Sequence, residues 1–341
     1  MKFSFLKGLS LAVVLVLTSQ CTSNTSNSGS EAEATGSLVV YSGRSKALVE
    51  PLVTKFTEQT GIQVEVKYGG TSQLAIAIME EGAQSPADLF WAQDAGALGA
   101  LGNSGLLRSV PSDVMGMLDA SFLNASGTWI ATSGRGRVLA YSSVRADTSS
   151  LPQSVFDLTD PKYKGRVAWA PSNGSFQAFV SAMTEMHGVD RTREWLAAMR
   201  DNGAVAYTNN NAILQGIAAG EADYGITNHY YLLRNKAQDA NFPVEQTYFT
   251  NGDVGNMLNV AGVGLLASGK NTVSADAFLA FILNQESQLY IATEVFEYPV
   301  IAIEQGSGSI DPARAAAPVL DLEKIADLEA TVALLREVGL L

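Results

Sequence analysis

Two adjacent tyrosines, Tyr230 and Tyr231, are the residues in this sequence best placed to act together on a ligand. Neighbouring side chains in a strand point to opposite faces, so both phenols can face one ligand only from a turn or a helix start. The sequence offers such a place. Residues 222–226 are predicted to form a strand, Thr227 or Asn228 to be the N-cap of a helix, and 230–237 to form that helix. A phenolate is a hard anionic oxygen that suits a highly charged cation, and free N–H groups at a helix start favour it over the phenol. Considered alone, however, the pair is more typical of two half-buried rings with their hydroxyls in water.

Three arginines are candidate anion ligands. Arg135 and Arg137 lie two residues apart on one face of an extended run, in phase with Tyr141, and Arg44 follows a predicted strand that ends at Tyr41. A guanidinium presents a planar fork of donors that matches two oxygens of an oxyanion. Each of these arginines is equally consistent with a salt bridge at the surface or between two lobes.

Other chemistry has little support in the sequence. The two histidines, His187 and His229, are too few for a typical zinc site, and the single cysteine permits no intramolecular disulfide. No nucleophile elbow, zinc-protease helix or phosphate-loop lysine motif occurs. The formal charge of −12 without a basic cluster argues against nucleic acid as a partner. We therefore predict a protein that is not an enzyme.

The N-terminus is typical of an exported lipoprotein. Lys2 and Lys7 precede an apolar run, 9–17, that is too short to span a bilayer, so 1–20 is predicted to be a signal peptide. Cys21 follows at the position where a bacterial lipoprotein receives its diacylglycerol, although a secreted protein with an incidental thiol is the alternative. Residues 21–36 are polar and small, and we predict a flexible tether.

The rest of the chain alternates between strand and helix patterns. Short β-rich runs such as 38–41 and 62–66 are separated by segments with apolar residues at helical spacing, and this alternation predicts a parallel α/β sheet. About 305 residues exceed the size at which a single core usually stops growing, so two lobes are expected. Extended segments near 129–142 and 260–266 are predicted to cross between the lobes, which leaves a cleft beyond the carboxyl ends of the strands.

Four segments in this order and spacing resemble the periplasmic ferric-ion-binding proteins of bacterial ABC importers, a branch of the class II solute-binding fold. The resemblance covers 38–341, and its most specific segments are Val40–Arg44, Ser85–Phe90, Arg135–Tyr141 and Thr227–Tyr231. It implies a two-lobed, type II periplasmic binding protein with two crossing hinge strands and an interlobe cleft. The predicted first lobe comprises 37–134 with 260–310, and the second comprises 135–259 with 311–341.

The resemblance also implies roles for individual residues. In the family an adjacent tyrosine pair supplies two phenolates to iron, which corresponds here to Tyr230 and Tyr231, and Tyr141 occupies the place of a third tyrosine ligand of some branches. The best-known branch also uses a His and a Glu, and these places hold Ser45 and Gln93. The sequence therefore resembles a tyrosine-rich branch in which carbonate or a similar anion completes the coordination of Fe³⁺.

The anion is expected to contact Arg44, Arg135, Arg137, Asn210 and Ser172. Asn210 is aligned with an anion-contacting asparagine of the family, and Ser172 begins a Ser-Asn-Gly-Ser turn whose N–H groups could hold an oxyanion, although ordinary helix capping explains both residues as well.

We therefore predict a monomeric, lipid-anchored solute-binding component in the periplasm or on the outer face of the cytoplasmic membrane. It would bind ferric iron and deliver it to an ABC permease and its ATPase. The alternatives are the same fold binding a small organic or inorganic anion, with the tyrosines as aromatic walls, and, more remotely, a secreted hydrolase.

Overall fold

A computed structural model of the protein describes residues 37–118, 122, 124, 126–303, 311–318, 320 and 328–341. The predicted signal peptide, the predicted tether and Cys21 lie outside the described residues. None of the helices within these ranges is long and apolar enough to cross a membrane.

Ten strands and twelve α-helices follow one another along the described ranges. The strands are β1 Ser37–Ser42, β2 Gln63–Tyr68, β3 Leu89–Ala92, β4 Leu107–Arg108, β5 Trp129–Ser142, β6 Val167–Trp169, β7 Val205–Ala206, β8 Tyr224–Asn228, β9 Val244–Thr247 and β10 Leu258–Leu266. The helices are α1 Lys46–Thr60, α2 Thr71–Glu81, α3 Ala95–Asn103, α4 Ser112–Met115, α5 Gly174–His187, α6 Val189–Asp201, α7 Asn210–Ala219, α8 His229–Gln238, α9 Thr272–Ile282, α10 Gln285–Tyr290, α11 Asp311–Ala316 and α12 Leu328–Glu337.

One long strand, β5, joins two halves of the sheet. The strand order is β2-β1-β3-β10-β5-β8-β6-β7, with β4 paired to β10 and β9 paired to β5. The first part of β5, up to Gly136, pairs with β10, and the part from Arg137 onward pairs with β8 and β9. Gly262 lets β10 approach β5 closely, because a Cβ there would lie 2.6 Å from the carbonyl oxygen of Ile130.

The two halves of the sheet belong to two lobes with separate cores. The first lobe is built on β1–β4 and β10, and its core draws on buried residues of 38–131 and 260–300. The second lobe is built on β6–β9, and its core draws on 139–257 and on Leu334, Leu335 and Val338 of α12. Ala313 packs in the first core, although the predicted division assigns 311–341 to the second lobe.

Hydrogen bonds to Asp88, which is 2 % exposed, connect two segments of the first lobe. Its carboxylate accepts hydrogen bonds from the backbone N–H of Val39, Lys270 and Asn271 and from the side-chain amide of Asn271, at 2.8–3.1 Å. A buried carboxylate is stable only with such donors. Asp88 therefore joins β1 to the turn between β10 and α9.

Candidate functional site

The tyrosine pair lies where β8 gives way to α8. The helix begins at His229, directly after the strand, and its N-cap residue Asn228 makes no side-chain cap to the helix. Instead, the side-chain oxygen of Asn228 accepts a hydrogen bond from Arg137 at 3.2 Å. The first N–H groups of α8 are therefore left without a side-chain cap, next to Tyr230 and Tyr231.

Both phenol rings face the same cavity. Their centroids are 4.3 Å apart with an interplanar angle of 28°, so the rings stack and do not diverge to opposite faces. Tyr230 is only 6 % exposed, and Tyr231 is half-buried. The two residues line a cavity of about 620 Å³ whose walls come from both lobes. We call this cavity the cleft.

Burial disfavours the phenolate form of Tyr230. Burial raises the pKa of Tyr230 above its ordinary value of 10.0, and the neighbouring Tyr231 raises the pKa further. Arg135 opposes this shift through its positive charge. A positive ion entering the cleft would act in the same direction as Arg135 and favour loss of the proton.

Two of the predicted arginines lie beside the pair. Arg135 is 5 % exposed, lines the cleft and donates a hydrogen bond to the backbone oxygen of Gln93. Arg137 is buried behind it and donates to Asn228, as described, and to the carbonyl oxygen of Ser175 at 3.3 Å. The two share a recess of about 10 Å³ that opens behind the cleft.

Arg137 carries a buried positive charge that no described carboxylate neutralises by an ion pair. Its guanidinium lies over the ring of Phe179, 4.9 Å from the ring centroid. Burial lowers the pKa of Arg137 from 12.5 to about 9, whereas negative charge on Tyr230 and Tyr231 would raise it. The charge of Arg137 is therefore available to stabilise an anion, or the phenolates themselves.

Arg44 is placed differently from the prediction. It is 3 % exposed, does not line the cleft and forms an ion pair with Glu297 at 2.8 Å. It also donates to the side-chain oxygen of Gln93 at 2.7 Å. Arg44 thus forms a buried salt bridge, the alternative role that the sequence left open, but both partners belong to the first lobe.

Glu297 is a central residue of this region that the sequence analysis missed. It is 3 % exposed and accepts a hydrogen bond from the Ser133 hydroxyl at 2.5 Å as well as from Arg44. Burial raises the pKa of Glu297, but Arg44, Arg135 and Ser133 together lower it below the ordinary value. No local signal marks this residue, because Arg44 and Ser133 are distant from it in the sequence.

His229 anchors the start of α8 against β5. It is 1 % exposed, its ring stacks on that of Tyr298 at 3.8 Å, and its Nδ1 accepts a hydrogen bond from the backbone N–H of Gly136 at 3.2 Å. Burial lowers the pKa of His229 to about 4, so the imidazole is neutral. His229 therefore holds the start of α8, and with it Tyr230, against β5.

The predicted anion-binding turn is shifted by one residue. Ser172 is exposed and does not line the cleft, whereas Asn173, Gly174 and Ser175 do. Asn173 caps α5 by accepting from the N–H of Ser175 at 3.1 Å. The predicted Asn210 is 2 % exposed and does not line the cleft, but its amide donates to Ser175 Oγ at 3.2 Å and so supports this turn.

Tyr141 is not brought to the cleft. It lies in β5 opposite Tyr224 and Glu245 and packs against the second core. Because an extended strand rises about 3.3 Å per residue, four residues place Tyr141 about 13 Å beyond Arg137 along β5. Tyr141 and Arg137 lie on the same face of β5, as expected. Tyr141 is nevertheless too far along the strand to reach the ion site that the resemblance implies.

No cluster of three or more His, Cys, Asp or Glu residues that could hold a metal occurs in the described part of the chain. The stacked phenols are hard oxygen donors that the cleft provides.

Two α/β lobes joined by crossing strands, with a cleft between them, define a two-lobed solute-binding protein. Residues 51–306 match the family of bacterial extracellular solute-binding proteins, and the chain belongs to this family. It is therefore a binding protein and not an enzyme.

Individual relatives extend this conclusion. The chain is 32 % identical over 314 residues to an Fe(3+)-binding periplasmic protein of Serratia marcescens, which covers 91 % of this chain and 92 % of the relative. Iron-bound HitA from Pseudomonas aeruginosa superposes with a TM-score of 0.81 at 32 % identity, over 89 % of this chain and all of HitA. A Trichodesmium protein in complex with iron and citrate gives a TM-score of 0.78 at 27 % identity, over 90 % of this chain and all of that protein. These structures confirm the predicted type II periplasmic binding fold.

Proposed function

We propose that this protein captures ferric iron in its cleft through the phenolates of Tyr230 and Tyr231, together with a small anion, and delivers it to an ABC permease driven by an ATPase. The observation that carries the proposal is the stacked pair of phenols, which faces the cleft beside Arg135 and Arg137. The relatives from Serratia marcescens and Pseudomonas aeruginosa support it, because the former is named for Fe³⁺ binding and the latter is iron-bound.

The chemistry follows from the charges in the cleft. Fe³⁺ is a hard ion that prefers anionic oxygen donors, and a bound cation removes the proton of a phenol whose ordinary pKa is about 10. The uncapped N–H groups at the start of α8 and the buried charge of Arg137 both stabilise the resulting phenolates. Arg137 would then have the negative partners that it lacks without the ion.

A carbonate or a similar anion would complete the coordination. Arg135 supplies a guanidinium at the cleft wall, and Asn173, Gly174 and Ser175 supply the N-terminal turn of α5. These groups suit two or three oxygens of a small oxyanion, since both a guanidinium and free N–H groups donate in fixed directions. In this proposal Asn210 supports the turn from behind.

Export and anchoring are part of the same proposal. Cys21 would carry a lipid at the outer face of the cytoplasmic membrane, with 21–36 as a tether that leaves the binding lobes free to reach the permease. We propose a monomer, because a single pair of lobes contains the whole cleft. Mass spectrometry of the mature protein would detect a diacylated Cys21, and an unmodified thiol after export would contradict the anchor.

Loading with ferric citrate tests the binding function. Phenolate coordination to Fe³⁺ gives a visible charge-transfer band, so the loaded protein should be coloured. Tyr230→Phe should weaken iron retention strongly, whereas Tyr224→Phe should not, because Tyr224 packs in the second core against Tyr163. A colourless wild-type protein in excess ferric citrate, or equal losses in the two variants, would contradict the proposal.

The anion-only alternative has a separate test. Calorimetry with carbonate, phosphate and citrate in metal-free buffer should give weak or no binding if the anion depends on iron. Tight binding without metal, unaffected by Tyr230→Phe, would favour the alternative.

A further inference from the structure

The first lobe offers the cleft a single acidic side chain. Of the cleft-lining residues in the described ranges, Asp94 alone carries a carboxylate. It lies two residues beyond the end of β3, in the turn that leads into α3. Tyr230 lies in the equivalent position of the second lobe, two residues beyond the end of β8. Both residues thus lie at the carboxyl end of a strand, where α/β lobes bind their ligands.

Two polar neighbours of Asp94 in this wall already have protein partners. The Gln93 side-chain oxygen accepts from Arg44, and its backbone oxygen accepts from Arg135. The Thr71 hydroxyl accepts from the Gln93 N–H at 3.2 Å. Asp94, by contrast, receives only one long contact in the described structure, 3.4 Å from the N–H of Ala97 to Oδ1, and no described residue donates to its Oδ2. At least one carboxylate oxygen of Asp94 is therefore available to a ligand.

The position of Asp94 gives this oxygen a role. Tyr230 and Tyr231 both belong to the second lobe, and two phenols of one lobe cannot surround an Fe³⁺ ion, so donors from the opposite wall are needed as well. A carboxylate is a hard anionic oxygen donor of the class that suits this ion. We propose, building on the function proposed above, that Asp94 is the iron ligand contributed by the first lobe, so that the ion joins the two lobes when they close on it.

Neutral variants of Asp94 can be made without losing the helix cap. Asn and Ser are N-cap residues comparable to Asp, so Asp94→Asn and Asp94→Ser should retain the wild-type thermal midpoint. Glu58→Gln is the matched control, because it removes an exposed carboxylate of α1 that does not line the cleft. Affinity is measured by titrating ferric-loaded protein with citrate and following the charge-transfer band.

Both Asp94 variants should bind Fe³⁺ at least about tenfold more weakly than the wild type, because even groups that only support metal ligands contribute this much. Their band should also move to longer wavelength, since loss of an anionic donor makes the iron a better electron acceptor. Wild-type affinity in the Asp94 variants, or weaker affinity with an unchanged band, would overturn the assignment of Asp94 as a ligand. A wild-type protein without any band would instead refute the proposed function itself.

Discussion

Replacing Glu297 with alanine would remove the buried counter-ion of Arg44 in the first lobe. Both side chains are at most 3 % exposed and their charged atoms are 2.8 Å apart, so the pair is shielded from bulk water. Removing one partner of a buried ion pair costs about 3–5 kcal/mol of folding free energy, because the remaining charge stays buried and unpaired. The Ser133 hydroxyl also loses its acceptor. The expected loss is a large fraction of the 5–15 kcal/mol that is typical of whole proteins.

Urea unfolding followed by tryptophan fluorescence measures this loss. The control is Glu50→Ala, which removes an exposed partner of Lys46 on α1 and should cost no more than about 1 kcal/mol. Replacing both Arg44 and Glu297 by apolar residues should recover much of the stability, because no buried charge is left without a partner. Equal losses in Glu297→Ala and Glu50→Ala would refute this account of the buried pair.

The same pair gives a pH dependence with a defined sign. The pKa of Glu297 is lower in the folded protein than the ordinary value of about 4.3. The stability that its ionised form contributes is therefore fully present above that value and is lost as the pH falls through the folded pKa. The stability difference between the wild type and Glu297→Ala should be constant from about pH 5 to 8 and should shrink in more acidic solution.

Three further predictions follow from other sites. Asp88→Ala should lower the free energy of unfolding by about 3 kcal/mol in urea titrations, since it leaves several buried N–H donors without their acceptor. Gly262→Ala should lower the free energy of unfolding by about 1–3 kcal/mol in the same titrations, because the added Cβ would press on the Ile130 carbonyl. The control is Gly174→Ala at an exposed position with open space around it, and an equal loss there would contradict the steric reason. Iron binding at pH 7 should release about two protons, one from Tyr230 and one from Tyr231, measured by calorimetry in buffers of different ionisation enthalpy. No release would contradict phenolate coordination.

The local features of the site could be predicted from the sequence because they depend on neighbouring residues. The predicted strand, N-cap and helix around Tyr230 correspond to β8, Asn228 and α8, and this local order makes the two rings share a face. The end of α1 has a similarly local cause, because the helix is followed directly by Gly61, where φ is 76° and glycine is favoured.

The partners of each charged side chain could not be predicted in the same way. Arg44 and Glu297 are 253 residues apart, and no periodicity connects them. For this reason Arg44, which the sequence suggests as an anion ligand, is found in a buried ion pair with Glu297. Tyr141 shares the phase of Arg137 but lies too far along β5, since phase fixes the face of a strand and not the distance from the cleft.

The sequence by itself determined the alternation of strands and helices, the placement of two phenols at a helix start and the absence of basic clusters, because these depend on composition and on spacing within a few residues. The tertiary structure alone decided which oxygens and guanidinium groups meet in the cleft, including the carboxylate of Asp94 opposite the tyrosines. The physical reason is that burial and ion pairing are properties of side chains brought together by folding from distant parts of the chain.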